Sequence, residues 1–216
     1  MRFVVISGLN IETAFLKKFD LQHGYGYGRK AELIAKKLIN KNIDCVISFG
    51  FAGGINNTIK TGDLIIGENI IWQNKSVNKT SKEFVTFFKN KLEGVDIKIV
   101  NVLCSSSIIS IKNNQKLETP DYLLQVVDME SEYIQKVALK FNVPFICLRV
   151  IFDDLKNQIP DFIKQLMRDD GKINIKGLFI EIFRNPIRIF EIIKLSIIYF
   201  ISIQKLKKVS KLIFKN

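Results

Sequence analysis

The chain has 216 residues, 47% of them hydrophobic, and a formal charge of +12, enough for one α/β domain with a buried core and an appended element. A charge of that size ordinarily points to nucleic acid or an anionic membrane. Here residues 172–216 hold eight Lys and two Arg against Glu181 and Glu191, a net of +8 that leaves +4 for everything before them, so the basicity belongs to the tail. Cys45, Cys104 and Cys147 are odd in number and lack metal-ligand spacing, which favours a reducing cytoplasm and no metal.

Met1–Leu9 runs into Asn10-Ile11-Glu12 with no cleavage pattern and reads as a first strand over Phe3–Ile6, ending at Ser7-Gly8. His23-Gly24-Tyr25-Gly26-Tyr27-Gly28-Arg29 is a glycine-rich loop entering a helix over Arg29–Asn40, and its backbone donors would suit a phosphate. Gly26, Gly28 and Arg29 are the candidates for that role. Gly26–Ala31 also fits a dinucleotide pattern, but Phe19–Gln22 does not read as the strand that pattern requires.

Cys45–Phe49 is the next strand, stopped by Gly50, and the strand–helix–strand order predicts a parallel crossover. Asp63–Ile66 and Ile70–Trp72 read as two short strands separated by Gly67, and Phe84–Leu92 as a surface helix. Ile97–Leu103 is a strand whose end, Cys104-Ser105-Ser106-Ser107, offers hydroxyls; Lys112–Lys116 reads as the most mobile loop. Leu124–Val127, Glu130–Phe141 and Val143–Ile151 then give strand, helix and strand. The expected fold is α/β, a mostly parallel central sheet with helices on both faces, over a domain of residues 1–171. Ligands of such sheets collect at the carboxyl ends of strands, where Glu12, the Gly50–Gly54 turn, Ser105, Glu130 and Asp153 all fall.

Residues 172–216 are expected to form a basic amphipathic helical tail, with Asn185-Pro186 opening its longest run. Leu195–Ile203 is too short for a bilayer span, which needs about 20 apolar residues. The pattern suits an interfacial helix on an anionic membrane, and a helix packed on the sheet with solubilising lysines is the alternative. Nothing in it suits DNA or RNA.

Three segments carry a resemblance: Phe49-Gly50-Phe51-Ala52-Gly53-Gly54 with Gly62-Asp63 after it, Val127-Asp128-Met129-Glu130-Ser131, and Arg149-Val150-Ile151-Phe152-Asp153-Asp154. Their order resembles the purine nucleoside phosphorylase and nucleosidase superfamily, and the chain with its basic apolar tail is most similar to the hopanoid-associated branch. The resemblance implies that Glu130 holds the ribose hydroxyls, Met129 packs on the sugar, and Ala52 and Gly53 let the flat base approach the main chain. It implies that Asp153 hydrogen-bonds or protonates the departing purine, and that Glu12 activates water. Related nucleosidases have Ser before that Asp where this chain has Phe152, which trades a hydroxyl for an aromatic face beside the substrate. Water through Glu12 and phosphate near Arg29 both remain open as nucleophile, so phosphate is an expected co-substrate and no other cofactor is implied.

The resemblance further implies release of adenine from adenosylhopane by a cytoplasmic enzyme working at the membrane face. Superfamily members usually assemble as oligomers, so a homo-oligomer is expected. Two other readings stand: a soluble methylthioadenosine or adenosylhomocysteine nucleosidase, and a non-catalytic nucleoside-binding protein at the membrane in which Phe152 has spoiled the acid site.

Overall fold

A computed structural model describes residues 1–108, 125–168 and 172–215. The Lys112–Lys116 loop expected from the sequence lies outside the described residues. Among the described residues eight strands and seven α-helices follow one another: β1 (Phe3–Ser7), α1 (Asn10–Thr13), β2 (Gln22–Tyr25), α2 (Lys30–Leu38), β3 (Cys45–Gly54), β4 (Leu64–Ile71), β5 (Val77–Lys79), α3 (Lys82–Lys91), β6 (Ile97–Cys104), β7 (Val126–Asp128), α4 (Ser131–Lys140), β8 (Phe145–Asp153), α5 (Asp161–Leu166), α6 (Ile175–Arg184) and α7 (Arg188–Phe214).

The strands form one sheet in the order β2-β1-β3-β7-β6-β4-β5, and β8 pairs with both β3 and β4. The ring β3-β7-β6-β4-β8 therefore closes on itself. The sheet is mixed rather than mostly parallel: β1, β2, β3 and β8 run alongside one another, but β4 is antiparallel to β8 and to β5, and β7 is antiparallel to β3. Alternating burial along a strand reports which face is covered and is silent about strand direction, so the antiparallel pairings had no sequence signal. Two boundaries also differ from expectation. Gly50 does not stop β3, which continues to Gly54 along β8, and Gly67 does not divide β4 but sits at a register shift within it.

Hydrophobic residues pack on both sides of the sheet. Val4, Ile6, Val46, Ile65, Cys147 and Ile151 face α2 and α4, while Val5, Ile47, Phe49, Ile66, Leu148 and Val150 face α3 and α7. These sets interleave along each strand because successive side chains point to opposite faces. The Phe84–Leu92 helix lies on the surface as expected: α3 exposes Lys82, Glu83, Thr86, Lys89, Asn90 and Lys91 and buries Phe84 and Phe88 against Phe3, each aromatic contributing on the order of 2 kcal/mol of burial. The second half of α7 belongs to the same layer, with Ile203, Leu206, Val209 and Ile213 buried and Ser202 Oγ 3.5 Å from the Ile151 carbonyl. That half of the tail is a packed helix.

Candidate active site

The carboxyl ends of β1, β3, β7 and β8 meet at a cavity of about 310 Å³ whose wall includes Glu12, Glu130 and Asp153. Met129, Phe152, Ala52 and Gly53 line it too, so seven of the residues singled out in the sequence share one cavity. Strand order brings them together: β3 lies between β1 and β8, and its last two residues pair with β7.

Glu12 is 3% exposed, one turn beyond β1. Its carboxylate accepts from the Leu9 amide at 2.8 Å and the Phe51 amide at 2.6 Å. Burial raises its pKa against the opposing pull of Arg149 and these backbone donors. Gly50 has φ +145°, and a Cβ there would stand 2.6 Å from the Glu12 carboxylate. Glycine is therefore required at that position within β3 on two counts.

Glu130, 6% exposed, precedes α4 and accepts from the Gly28 amide at 3.0 Å. Its pKa is also raised: burial is the main cause, the Asp128 and Glu12 charges add to it, and Arg149, 3.9 Å away, opposes it. Gly8 lets the carboxylate in, since a Cβ on Gly8 would fall 2.7 Å from Glu130 Oε1. Beside it the Tyr27 hydroxyl reaches the Met129 sulfur at 3.5 Å.

Asp153 ends β8. Burial pushes its pKa up to about 6, with Lys164 pulling the other way. Its neighbour Asp154 is turned from the cavity wall and accepts from the Thr61 amide and hydroxyl and the Lys156 and Asn157 amides, at 2.8–2.9 Å. Burial would raise that carboxyl, but these bonds outweigh it and bring it to about 2. Asp154 ties the loop after β8 to Thr61. Phe152 stacks on Phe51 with ring centroids 5.3 Å apart, and Phe51 meets Tyr199 of α7 edge-on at 6.3 Å.

Ser105 is not on the wall: its hydroxyl bonds the Ser107 carbonyl at 2.7 Å, and Ser107 and Ile108 line the cavity instead. The glycine-rich loop has a different geometry from the one expected. A short strand, β2, does precede it, but the Gly26 amide is bonded to the Ser7 carbonyl at 2.9 Å and the Gly28 amide to Glu130. Arg29 is exposed and absent from the wall. The Gly26 and Gly28 amides are thus engaged by β1 and by a site carboxylate.

Asp128, itself on the wall, forms an ion pair with Arg149 behind it, joining two of the three segments that carry the resemblance. Arg149, fully buried, contacts Asp128 at 2.7 Å and donates to Ser48 Oγ at 2.6 Å and Ser131 Oγ at 3.2 Å. Ser131 in turn bonds Asp128, and Arg149 Nη1 has no partner among the described residues. The signal was present in the sequence: an Arg inside the apolar run Val143–Ile151 needs a buried anion. Leu195 and Tyr199, one turn apart on α7, complete the wall with Ile159, Ile163 and Met167; nothing in the sequence tied them to the site.

A closed mixed sheet flanked by helices, with carboxylates gathered at its strand ends, defines an α/β protein of nucleoside phosphorylase-like fold. Residues 17–172 match the family model described as the phosphorylase superfamily, and the chain belongs to that superfamily. It is similar to the 5′-methylthioadenosine/S-adenosylhomocysteine nucleosidase of Buchnera aphidicola, 27% identical over 184 residues that cover 73% of this chain and 78% of the relative. The Staphylococcus aureus enzyme of the same name is 26% identical, covering 69% and 75%. Among solved structures, the Neisseria meningitidis nucleosidase in complex with methylthio-immucillin-A superposes with a TM-score of 0.66 at 14% identity, over 99% of this chain and 98% of that one. A Helicobacter pylori futalosine hydrolase gives 0.61 at 16% identity, over 72% and 88%.

Proposed function

We propose that this protein cleaves the N-glycosidic bond of a purine nucleoside. The observation that carries the reading is the convergence of Glu12, Glu130 and Asp153 on one largely apolar cavity. Glu130 accepts the ribose hydroxyls and Met129 packs on the sugar. Protonated Asp153 gives its proton to N7 of the base as the bond between C1′ and N9 breaks, so the electron pair leaves on a neutral purine. Glu12 takes a proton from water as the water oxygen bonds to C1′. No Lys, Arg or His lines the cavity among the described residues, and an attacking phosphate dianion would meet carboxylates without a cation on the wall. This supports water over phosphate as the nucleophile.

Away from the carboxylates the wall is aliphatic and aromatic, which suits a nucleoside with an apolar substituent on the ribose. Our finer reading is a lipid-linked purine nucleoside, adenosylhopane, giving up adenine beside a membrane. A soluble substrate of the methylthioadenosine type is the second reading, favoured by the names of the curated relatives. Incubation with adenosylhopane or 5′-methylthioadenosine, each with and without phosphate, followed by mass identification of both products, separates these. Free adenine with a ribosyl product is expected; a phosphoribosyl product would overturn hydrolysis, and absence of adenine from any purine nucleoside would overturn the enzyme reading.

A further inference from the structure

The outward face of α7 changes character along its length. Phe190, Ile193, Ile197 and Phe200 are exposed on its first half, and the same face continues into Lys207, Lys208 and Lys211, because residues three and four apart share a helix face. The opposite face of the first half is the cavity wall, through Leu195 and Tyr199. α6, which neighbours α7, also bares aromatic side chains, Phe179 and Phe183, 69% and 90% exposed. Around the basic end Lys18, Lys207, Lys208 and Lys211 border a second cleft of about 360 Å³. Of the two acids in this region, Glu181 is paired with Arg184 and Arg188, and Glu191 lies off the shared face at helical spacing.

We infer that α6 and the first half of α7 dock on an anionic bilayer, with the lysine cluster at the headgroup phosphates. Ile197 and Lys208 are about 16 Å apart along the helix axis at 1.5 Å per residue. An apolar face enters an interface by about 5–10 Å, so the helix lies obliquely, its first half among acyl chains and its last turns in the headgroup layer. Charge selects the occupant. A second copy of this face would bring its own lysines and a tail of the same sign, whereas an anionic surface draws each lysine in by a factor of roughly five. The helix that walls the cavity then touches the membrane with its other side, so a nucleoside carried on a lipid is met where its body resides. Among the described residues no helix is long and apolar enough to cross a membrane, so the contact is peripheral. The role given to the cavity rests on the proposed reaction; the docking itself does not.

The test is flotation of the full chain with vesicles of phosphatidylcholine alone or mixed with phosphatidylglycerol, at low and high salt, beside Phe183→Ser/Phe190→Ser and Lys208→Glu/Lys211→Glu. Unfolding temperature and light scattering are measured on each variant. Binding is expected to the anionic vesicles only. It should weaken at least tenfold in either double variant at unchanged unfolding temperature, and in high salt for the wild type. A wild type that stays with the buffer, or variants that float equally well, would overturn the inference. So would a dimer that Phe183→Ser/Phe190→Ser splits while anionic vesicles bind nothing, which assigns the patch to a second copy. Adenine release from soluble nucleoside without flotation removes the docking and spares the reaction; flotation without turnover of any purine nucleoside does the reverse.

Discussion

Asp153→Asn should make the protein more stable and nearly inactive, and the gain in stability should depend on pH. Burial raises the carboxyl from an ordinary 3.8 to about 6, which corresponds to about 3 kcal/mol against the ionised form at high pH. Some solvent reaches the side chain, and about 2 kcal/mol is the working figure. Below about pH 4 the carboxyl is protonated both folded and unfolded, so Asp and Asn differ little. As pH rises the unfolded chain gives up its proton first and the folded chain holds on, so the wild type loses stability through about pH 6 and the amide does not. For a chain of this size 2 kcal/mol moves the unfolding midpoint by roughly 4–8 °C. Calorimetry at about pH 4 and about pH 8 should therefore show the variant's advantage only at the higher pH, while adenine release falls by about 10²–10⁴. An equal advantage at both pH values would refute the buried-acid account. Turnover within tenfold of wild type would refute the proton donation.

Three further substitutions test the surroundings. Gly8→Ala puts a Cβ 2.7 Å from Glu130 Oε1; Gly8 has no positive φ, so the backbone tolerates alanine and the carboxylate must retreat from the Gly28 amide. Losing that bond should cost about 1.5–3 kcal/mol of stability, roughly 3–12 °C in the unfolding midpoint, and the displaced carboxylate should raise KM; unchanged steady-state constants would count against a ribose role for Glu130. Asp128→Asn leaves Arg149 buried beside an uncharged partner and should cost about 3–5 kcal/mol in urea unfolding. Asp154→Ala should cost about 2 kcal/mol by releasing the loop from Thr61, and denaturation at wild-type urea concentration would contradict that loop-tying role.

Most of the fold was legible wherever a segment buries one residue type throughout. Phe3–Ile6, Cys45–Phe49 and Val143–Ile151 are β-branched or apolar runs and became β1, β3 and β8. Sheet direction was not legible, because the pairing of β4 with β8 is fixed by contacts between residues some 80 positions apart. β2 was missed because Gln22–Tyr25 is polar and glycine-containing, at an edge held by main-chain bonds to β1 rather than by burial. In the site, the carboxylates could be found because acids at the ends of apolar runs are unusual, whereas the amides of Leu9, Phe51 and Gly28 that hold them have no side-chain signature. Nor does the glycine-rich sequence His23–Arg29 carry a sign that the Gly26 and Gly28 amides bond within the protein, to Ser7 and to Glu130.

The charge balance of the cavity sets a last expectation. Glu12, Asp128 and Glu130 surround one guanidinium, and Asp128 is the acid in direct contact with it, at 2.7 Å. One cation neutralises one carboxylate, so the remaining acids keep protons to higher pH than they would in water, as the upward shifts of Glu12 and Glu130 reflect. A raised Glu12 is a stronger base towards water near neutrality, and a raised Asp153 still carries a proton to donate. The reaction needs ionised Glu12 and protonated Asp153 together. Thus kcat/KM should be bell-shaped, falling in acid as Glu12 takes up a proton and in alkali as Asp153 gives its proton up, with one of the two breaks at about 6. Glu12→Gln should reduce the dependence in acid to the part set by Glu130, whose carboxyl also takes up a proton there, and Asp153→Asn should remove that in alkali, each within whatever activity is left. A rate that keeps rising to the alkaline end would mean that the departing base takes no proton from Asp153.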